Sequence, residues 1–248
     1  MTDTMTTRFA ESDFRVGRVL SQTTTVLSRH FLTFFAIAAV ANLPTLLLFK
    51  DAQSPSGDLG QTGFLLILGV VLSLVLSVVS QGVILYGAFQ DMRGRPVNLV
   101  ESLMVGLNRF FPIVGLAIVM SVLVALAAIV FIIPGLILLT MWFVGTPACV
   151  VERRGPWRSL RRSSELTKGH RWKIFGLMLV LIVFSALISP LVGLISTAIG
   201  GKTLAFFGEL IWNGVWGAFY AIAAVVAYHD LRVAKEGVDT EQIAAVFD

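Results

Sequence analysis

Apolar residues along this chain gather into six long runs separated by short polar stretches. The runs are Phe31–Phe49, Phe64–Phe89, Ile113–Ile133, Gly135–Val151, Ile174–Ile195 and Leu204–Tyr228. A helix crossing the ~30 Å hydrocarbon layer of a bilayer needs about 20 apolar residues. The second run is long enough to tilt and the fourth is short. No Asp, Glu, Lys or Arg interrupts the first five, and Glu209 sits near the start of the sixth. The alternation of a membrane β-barrel is absent. The pattern predicts an all-α polytopic membrane protein, with six transmembrane helices arranged as three hairpins. Residues 1–30 are polar and charged, and the run after them is a full span rather than the short apolar core of a cleaved signal peptide. The first span is therefore expected to stay in the mature protein.

A second, shorter pattern precedes each odd-numbered run. Val16, Val19, Leu20, Thr23, Val26 and Leu27 share one helical face, with Arg15, Arg18, Gln22, Thr25 and Arg29 opposite. Another such segment starts at Pro96-Val97-Asn98, where Asn98 and Glu101 have capping-box spacing and Leu99, Leu103 and Leu107 follow. The third starts at Gly155-Pro156-Trp157, with proline suited to a first helical turn, and is expected to end at Lys168-Gly169. Each predicts an amphipathic helix lying in the cytoplasmic interface, ahead of its hairpin.

The second and third segments align without a gap at an offset of 61: Leu99 with Leu160, Ser102 with Ser163, and Phe111 with Trp172. Ile113, Gly115 and Leu116 likewise match Ile174, Gly176 and Leu177. Leu20 to Ile37 fits more loosely. Phe89-Gln90-Asp91-Met92-Arg93 echoes Tyr228-His229-Asp230-Leu231-Arg232. These matches predict an internal repeat of three units, about 14–90, 91–151 and 152–230, forming a single membrane domain over 14–230. Residues 1–13 are expected to be a flexible N-terminal segment and 231–248 a cytoplasmic tail. The repeat also predicts a ring of amphipathic helices in which Leu20, Leu99 and Leu160 occupy matching environments.

Composition supports the membrane reading. Of 248 residues, 56% are hydrophobic and 14% charged, with a mean hydropathy of +0.84. Soluble domains are roughly 45–50% apolar and about 25% charged. Such a chain cannot coat a water-facing surface, which excludes a disordered chain, a soluble enzyme and a disulfide scaffold; its one cysteine is Cys149. The basic residues are strongly sided. Of 19 Lys and Arg, 17 fall in the segments that share a side with the N-terminus, leaving Lys50 and Lys202 on the other. By the positive-inside rule both termini are cytoplasmic. Eight of the basic residues crowd the fourth loop: Arg153, Arg154, Arg158, Arg161, Arg162, Lys168, Arg171 and Lys173. Near anionic lipid each is worth about 1 kcal/mol. These eight are the candidate contacts for anionic lipid or a partner protein.

Several short motifs carry a resemblance. They are Phe14-Arg15-Val16-Gly17-Arg18-Val19-Leu20, Ile133-Pro134-Gly135-Leu136, Val151-Glu152-Arg153, Leu160-Arg161-Arg162-Ser163, Leu166-Thr167-Lys168-Gly169, and Tyr228-His229-Asp230-Leu231-Arg232 with Lys235-Glu236-Gly237-Val238-Asp239. In these the chain resembles the glycerophosphoryl diester phosphodiesterase membrane-domain proteins of bacteria and the related YciC-like multi-span proteins. The resemblance implies a multi-span membrane domain. It implies no defined chemistry, because the name comes from members fused to a phosphodiesterase domain, for which these residues are expected to leave no room.

No catalytic constellation is visible. His30, His170 and His229 all sit at the cytoplasmic boundary, without the convergent spacing of a metal site. HExxH, paired CxxC, P-loop, GxGxxG and GxSxG motifs are missing. A non-enzymatic chain without cofactor, metal or nucleic-acid partner is expected. Two readings stand. One is a scaffold or accessory subunit that binds anionic lipids, a membrane-protein partner or a second copy of itself through its basic face. The alternative is a small-molecule or lipid transporter, whose pathway would use the polar stripe Glu209, Asn213, Trp216 and Tyr220 on the sixth run. Pro44 and Pro190 could kink the first and fifth runs. Small residues such as Gly69, Ser73, Ser77, Gly208, Gly214 and Gly217 suit close helix contacts.

The charge asymmetry makes a direct prediction. A cysteine placed at Asp248 should react with a membrane-impermeant thiol reagent only after the cells are opened. Labelling of intact cells from the periplasm would reverse the assigned topology.

Overall fold

A computed structural model describes residues 14–39, 41 and 59–236. The N-terminal segment 1–13, the far half of the first apolar run with Asn42 and Pro44, Lys50, and the tail beyond Glu236 lie outside the described residues. The described residues are helical, with no strand among them. In chain order the helices are α1 (Val16–Arg29), α2 (Leu59–Met92), α3 (Leu99–Asn108), α4 (Phe110–Val130), α5 (Ile132–Trp142), α6 (Gly145–Val151), α7 (Pro156–Thr167) and α8 (Arg171–Glu236). Residues 31–39 are also helical. Four stretches are long and apolar enough to cross a membrane: Ile67–Met92, Phe110–Ile129, Ile132–Val151 and Arg171–Glu236.

The amphipathic helices form where the pattern puts them. α1 buries Val19, Thr23 and Val26. The α3 cap is Asn98, whose side chain accepts from the Val100 and Glu101 amides. The reciprocal arm of a capping box is replaced: the Asn98 amide donates to Gln90 Oε1, while Glu101 accepts from Tyr86 and Gln90 of α2. α7 begins on Pro156 and ends at Thr167, ahead of Gly169 at φ +92°.

The fourth and sixth runs differ from a simple span. The fourth breaks at Phe143-Val144 into α5 and α6. Pro147 has no amide to donate to the Phe143 carbonyl, so the helix restarts with the Ala148 amide on Val144 O. The fifth and sixth runs are the two helical arms of α8, 66 residues in all, joined at a kink where Gly200 and Gly201 leave helical geometry. Gly201 sits at φ +66°, and a Cβ on Gly200 would stand 2.7 Å from Leu204 Cβ, so both positions demand glycine. The chain folds back there: Phe184 stacks on Trp216, and a Cβ on Gly208 would stand 2.3 Å from Ser196 Oγ. Pro190 is held within helical backbone angles. The return arm runs on past residue 230 to Glu236, with Leu231 fully buried.

Burial is concentrated at one end of the helices, where the basic residues also lie; we call it the charged end. Val83, Ile84, Leu85 and Ala88 of α2 are buried there, as are Ile113 and Leu116 of α4 and Ile222 to Tyr228 of α8. Towards the far end the same helices expose Ile67, Val71, Leu126, Ile129, Leu187 and Leu194. α3 lies across α2 at a contact of two glycines. A Cβ on Gly82 would stand 3.1 Å from Gly106 Cα, and one on Gly106 would stand 2.9 Å from Val83 Cγ2.

The expected equivalence of three leucines fails. Leu160 is 3% exposed, Leu99 is 49% exposed and Leu20 is half-buried. What the three helices share on their inward faces is a small hydroxyl residue: Thr23, Ser102 and Ser163 are each 0% exposed. Eleven residues after each, Phe34, Ile113 and Ile174 are buried as well. α3 presents Leu99, Leu103 and Leu107 outward because Gly106 and Ser102 take the close contact with α2.

Gly106→Ala forces a methyl into a backbone crossing and should lower unfolding free energy by about 1–3 kcal/mol. Gly17→Ala, where a Cβ meets nothing within 4 Å, should be neutral or stabilising by up to ~1 kcal/mol. Denaturant unfolding of the detergent-solubilised protein measures both.

Candidate functional site

Three carboxylates terminate three helices at the charged end. Asp91 lies in the last turn of α2, Glu152 caps α6, and Asp230 lies near the end of α8. Their side chains are 12%, 12% and 7% exposed. A carboxylate removed from water needs a partner, and each finds one in or beside an amphipathic segment. His30 Nε2 is 3.0 Å from Asp91 Oδ1, with Arg29 Nη1 3.8 Å from Oδ2. Arg18 Nε of α1 donates to Asp230 Oδ2 at 3.1 Å. Glu152 Oε1 accepts from Arg162 Nε of α7 at 2.8 Å and from the Tyr228 hydroxyl at 2.7 Å. Arg154 Nε lies 2.6 Å from Glu152 Oε2.

Each acid is followed two residues later by arginine, in Asp91-Met92-Arg93, Glu152-Arg153-Arg154 and Asp230-Leu231-Arg232. Arg162 extends the network by also bonding Glu236, which accepts from Arg232. Burial favours the neutral form of Arg162, but its bonds to Glu152 and Glu236 outweigh that and hold the guanidinium more firmly charged than usual. Lys235 Nζ donates to the Glu165 carbonyl, a second tie between α8 and α7.

Between these elements lies an open cleft of about 310 Å³. Phe89 and Val151 give it an apolar floor, and Tyr86, Gln90 and Glu152 a polar wall. Arg93, Arg95, Arg153 and Arg232 complete it. The local backbone fixes these arginines. Arg93 stands over the Phe89 ring at 5.5 Å, a cation–π contact. Gly94 at φ +69° turns the chain, and the Arg95 amide bonds back to Gln90 O. Arg153 follows the α6 cap at φ +53°. That left-handed position normally holds glycine, and a side chain there costs about 1–2 kcal/mol. Glu152 is the one carboxylate on the wall, and its oxygens already face Arg154, Arg162 and Tyr228. Arg232 is paired with Glu236, which leaves Arg95 and Arg153 as wall cations without an acidic partner among the described residues.

The eight basic residues of the fourth loop do not form one patch. Arg153 lines the cleft, while Arg154 and Arg162 pair with Glu152. Arg162 is only 17% exposed and ties elements together rather than facing a ligand. Arg158, Arg161 and Lys168 are exposed, and Arg161 pairs with Glu165 one turn on. Lys173 is exposed at the start of α8. Arg171 closes a separate apolar groove of about 440 Å³ formed by Ile133, Leu136, Ile137, Thr140, Trp172 and Phe175.

The residues of the polar stripe face different neighbours. Glu209 Oε1 lies 3.0 Å from where a Cβ on Gly193 would stand. Trp216 stacks with Phe184, Trp212 and Phe219. Tyr220 meets Phe143 edge to face, and Asn213 is exposed. Among the described residues, no three His, Cys, Asp or Glu side chains converge as metal ligands would. Arg93, Arg95 and Arg232 of the cleft are not among the candidate contacts that the sequence suggests; Arg93 and Arg232 stand there in the repeated segments 89–93 and 228–232. The recurring acid-x-arginine pattern is the signal that marks two of them.

Comparison of the chain with protein-family models, with curated proteins and with solved structures finds no match in any of the three.

Glu152→Gln leaves Arg154 and Arg162 facing a neutral amide and should cost about 3–5 kcal/mol of unfolding free energy, as breaking a buried ion pair does. Tyr228→Phe removes one hydrogen bond to the same carboxylate and should cost about 1–3 kcal/mol. An unfolding series in detergent ranks the two; equal and negligible effects would contradict the assigned network.

Proposed function

We propose that the chain is a non-enzymatic integral protein of the bacterial cytoplasmic membrane, a scaffold or accessory subunit that binds anionic lipid or a membrane partner through its charged end. In this reading the helices make six spans in three hairpins. The run at 31–49 pairs with α2, α4 pairs with α5 and α6, and the two arms of α8 pair with each other. The charged end faces the cytoplasm. The resemblance to the glycerophosphoryl diester phosphodiesterase membrane-domain family belongs to the same proposal.

The observation that carries it is the flank of α7. Arg158, Arg161 and Lys168 are exposed there, and the next helix begins with Arg171 at the mouth of an apolar groove beside the exposed Trp172. Cations next to an apolar groove and an interfacial tryptophan suit an anionic headgroup and its acyl chain.

Anionic lipid should therefore stabilise the protein in a salt-dependent way, because surface charges are screened within about 8 Å at physiological ionic strength. In lipid nanodiscs, raising the phosphatidylglycerol content against phosphatidylcholine should raise the melting temperature, and added salt should reduce the gain. The variant Arg158→Gln/Arg161→Gln/Lys168→Gln should lose most of that salt response, with Arg162 left in place for its structural pairs. An unchanged response would reduce this flank to a topology signal.

A further inference from the structure

We infer that the arginine cleft between α2, the end of α6 and α8 is a binding site for a phosphate group, carried on a lipid headgroup or on a small free compound. The inference rests on the reading of the charged end as an anion-binding face and names the chemistry of one part of it.

The charge balance comes first. Four guanidinium groups border about 310 Å³; Arg232 is paired with Glu236, and the one carboxylate on the wall is turned to Arg154, Arg162 and Tyr228. Among the described residues the side chains of Arg95 and Arg153 make no hydrogen bond or ion pair. A carboxylate ligand brings one charge, whereas a phosphate brings up to two and three oxygens for the planar guanidinium fork. The two charges of Arg95 and Arg153, side by side on one cleft, match the second better than the first. The volume falls at the low end of small-molecule sites, enough for a phosphate and a compact substituent over Phe89 and Val151.

Pre-organisation is the second argument. Gln90 is fixed at both ends, by Glu101 and by the Asn98 amide. Arg93 is held over Phe89. Arg95 follows a hydrogen-bonded turn. The backbone that carries these side chains is set before the anion arrives, which spares part of the freedom that binding would otherwise cost.

Arg153 gives the third argument. Arginines near helix C-termini offset the helix dipole by about 0.3–1 kcal/mol each, and that role would account for Arg93 and Arg232. It does not account for an arginine at φ +53°, where glycine would satisfy the backbone better. A position that sacrifices backbone stability for a cation, on the wall of a cleft, points to what that cation holds.

The test uses the full chain, in neutral detergent and in phosphatidylcholine nanodiscs. Inorganic phosphate and phenyl phosphate are titrated as the free probes, and phosphatidic acid mixed into the nanodiscs is the lipid probe. Saturable binding of either kind supports the inference, and the arm that saturates at the lower concentration identifies the source. Arg95→Gln and Arg153→Gln should each weaken that binding by about tenfold or more. Arg153→Gly is the decisive variant: it should raise the melting temperature and still lose binding. The α7 triple variant should leave cleft binding unchanged, so failure at α7 and failure at the cleft are read separately. Absence of saturable binding in both arms, or wild-type affinity in Arg153→Gly, would overturn the inference.

Discussion

Three carboxylates taken out of water constrain this structure more than any other feature. Asp91, Glu152 and Asp230 sit at or near helix ends, and each is at least 88% buried. An unpaired charge in that position costs several kcal/mol. The partners arrive from elsewhere in the chain. Arg18 is 212 residues from Asp230, His30 is 61 from Asp91, and Tyr228 is 76 from Glu152. The amphipathic segments cannot be displaced from the long helices without exposing a buried acid to an apolar surround. Local helix formation and tertiary assembly are coupled at these three points.

The same constraint gives meaning to the uneven packing. Apolar burial between helices yields little in lipid, which is as apolar as a leucine side chain, so helices in a membrane associate by close packing and polar contacts. Here the polar contacts lie at the charged end, where α3 also crosses α2 closely at Gly82 and Gly106. Beyond it the helices present Ile, Leu and Val outward. The α8 arms stay together at the far end through Gly208 against Ser196 and the Phe184–Trp216 stack. The charged end is the ordered frame on which the cleft is built.

Periodicity made the elements legible. α7 runs from Pro156 to Thr167 as the pattern predicts, and Asn98 caps α3. Composition made the membrane character legible. Helix rotation was not, because Leu20, Leu99 and Leu160 look like the natural inward positions, while the close approach of Gly106 to α2 turns Ser102 inward instead. The break at Phe143-Val144 follows from Pro147, a residue easily passed over in an apolar run. The cleft was least legible, since its walls come from residues 86–95, 151–153 and 232. Charge counting treated Arg162 and Arg158 alike, yet one is tied to two carboxylates and the other is exposed. Sequence distance hides such pairings unless a motif such as acid-x-arginine recurs.

The most direct measurement is a double-mutant cycle on Arg18 and Asp230, read by unfolding in detergent. If buried acids hold the amphipathic segments in place, the two single substitutions to alanine are strongly non-additive, with a coupling energy above about 1 kcal/mol. The charge-exchanged pair Arg18→Asp/Asp230→Arg then recovers part of the stability that either exchange alone removes. Additive single effects, within about 0.3–0.5 kcal/mol, would mean that Asp230 does not hold α1 through Arg18 and would contradict the account.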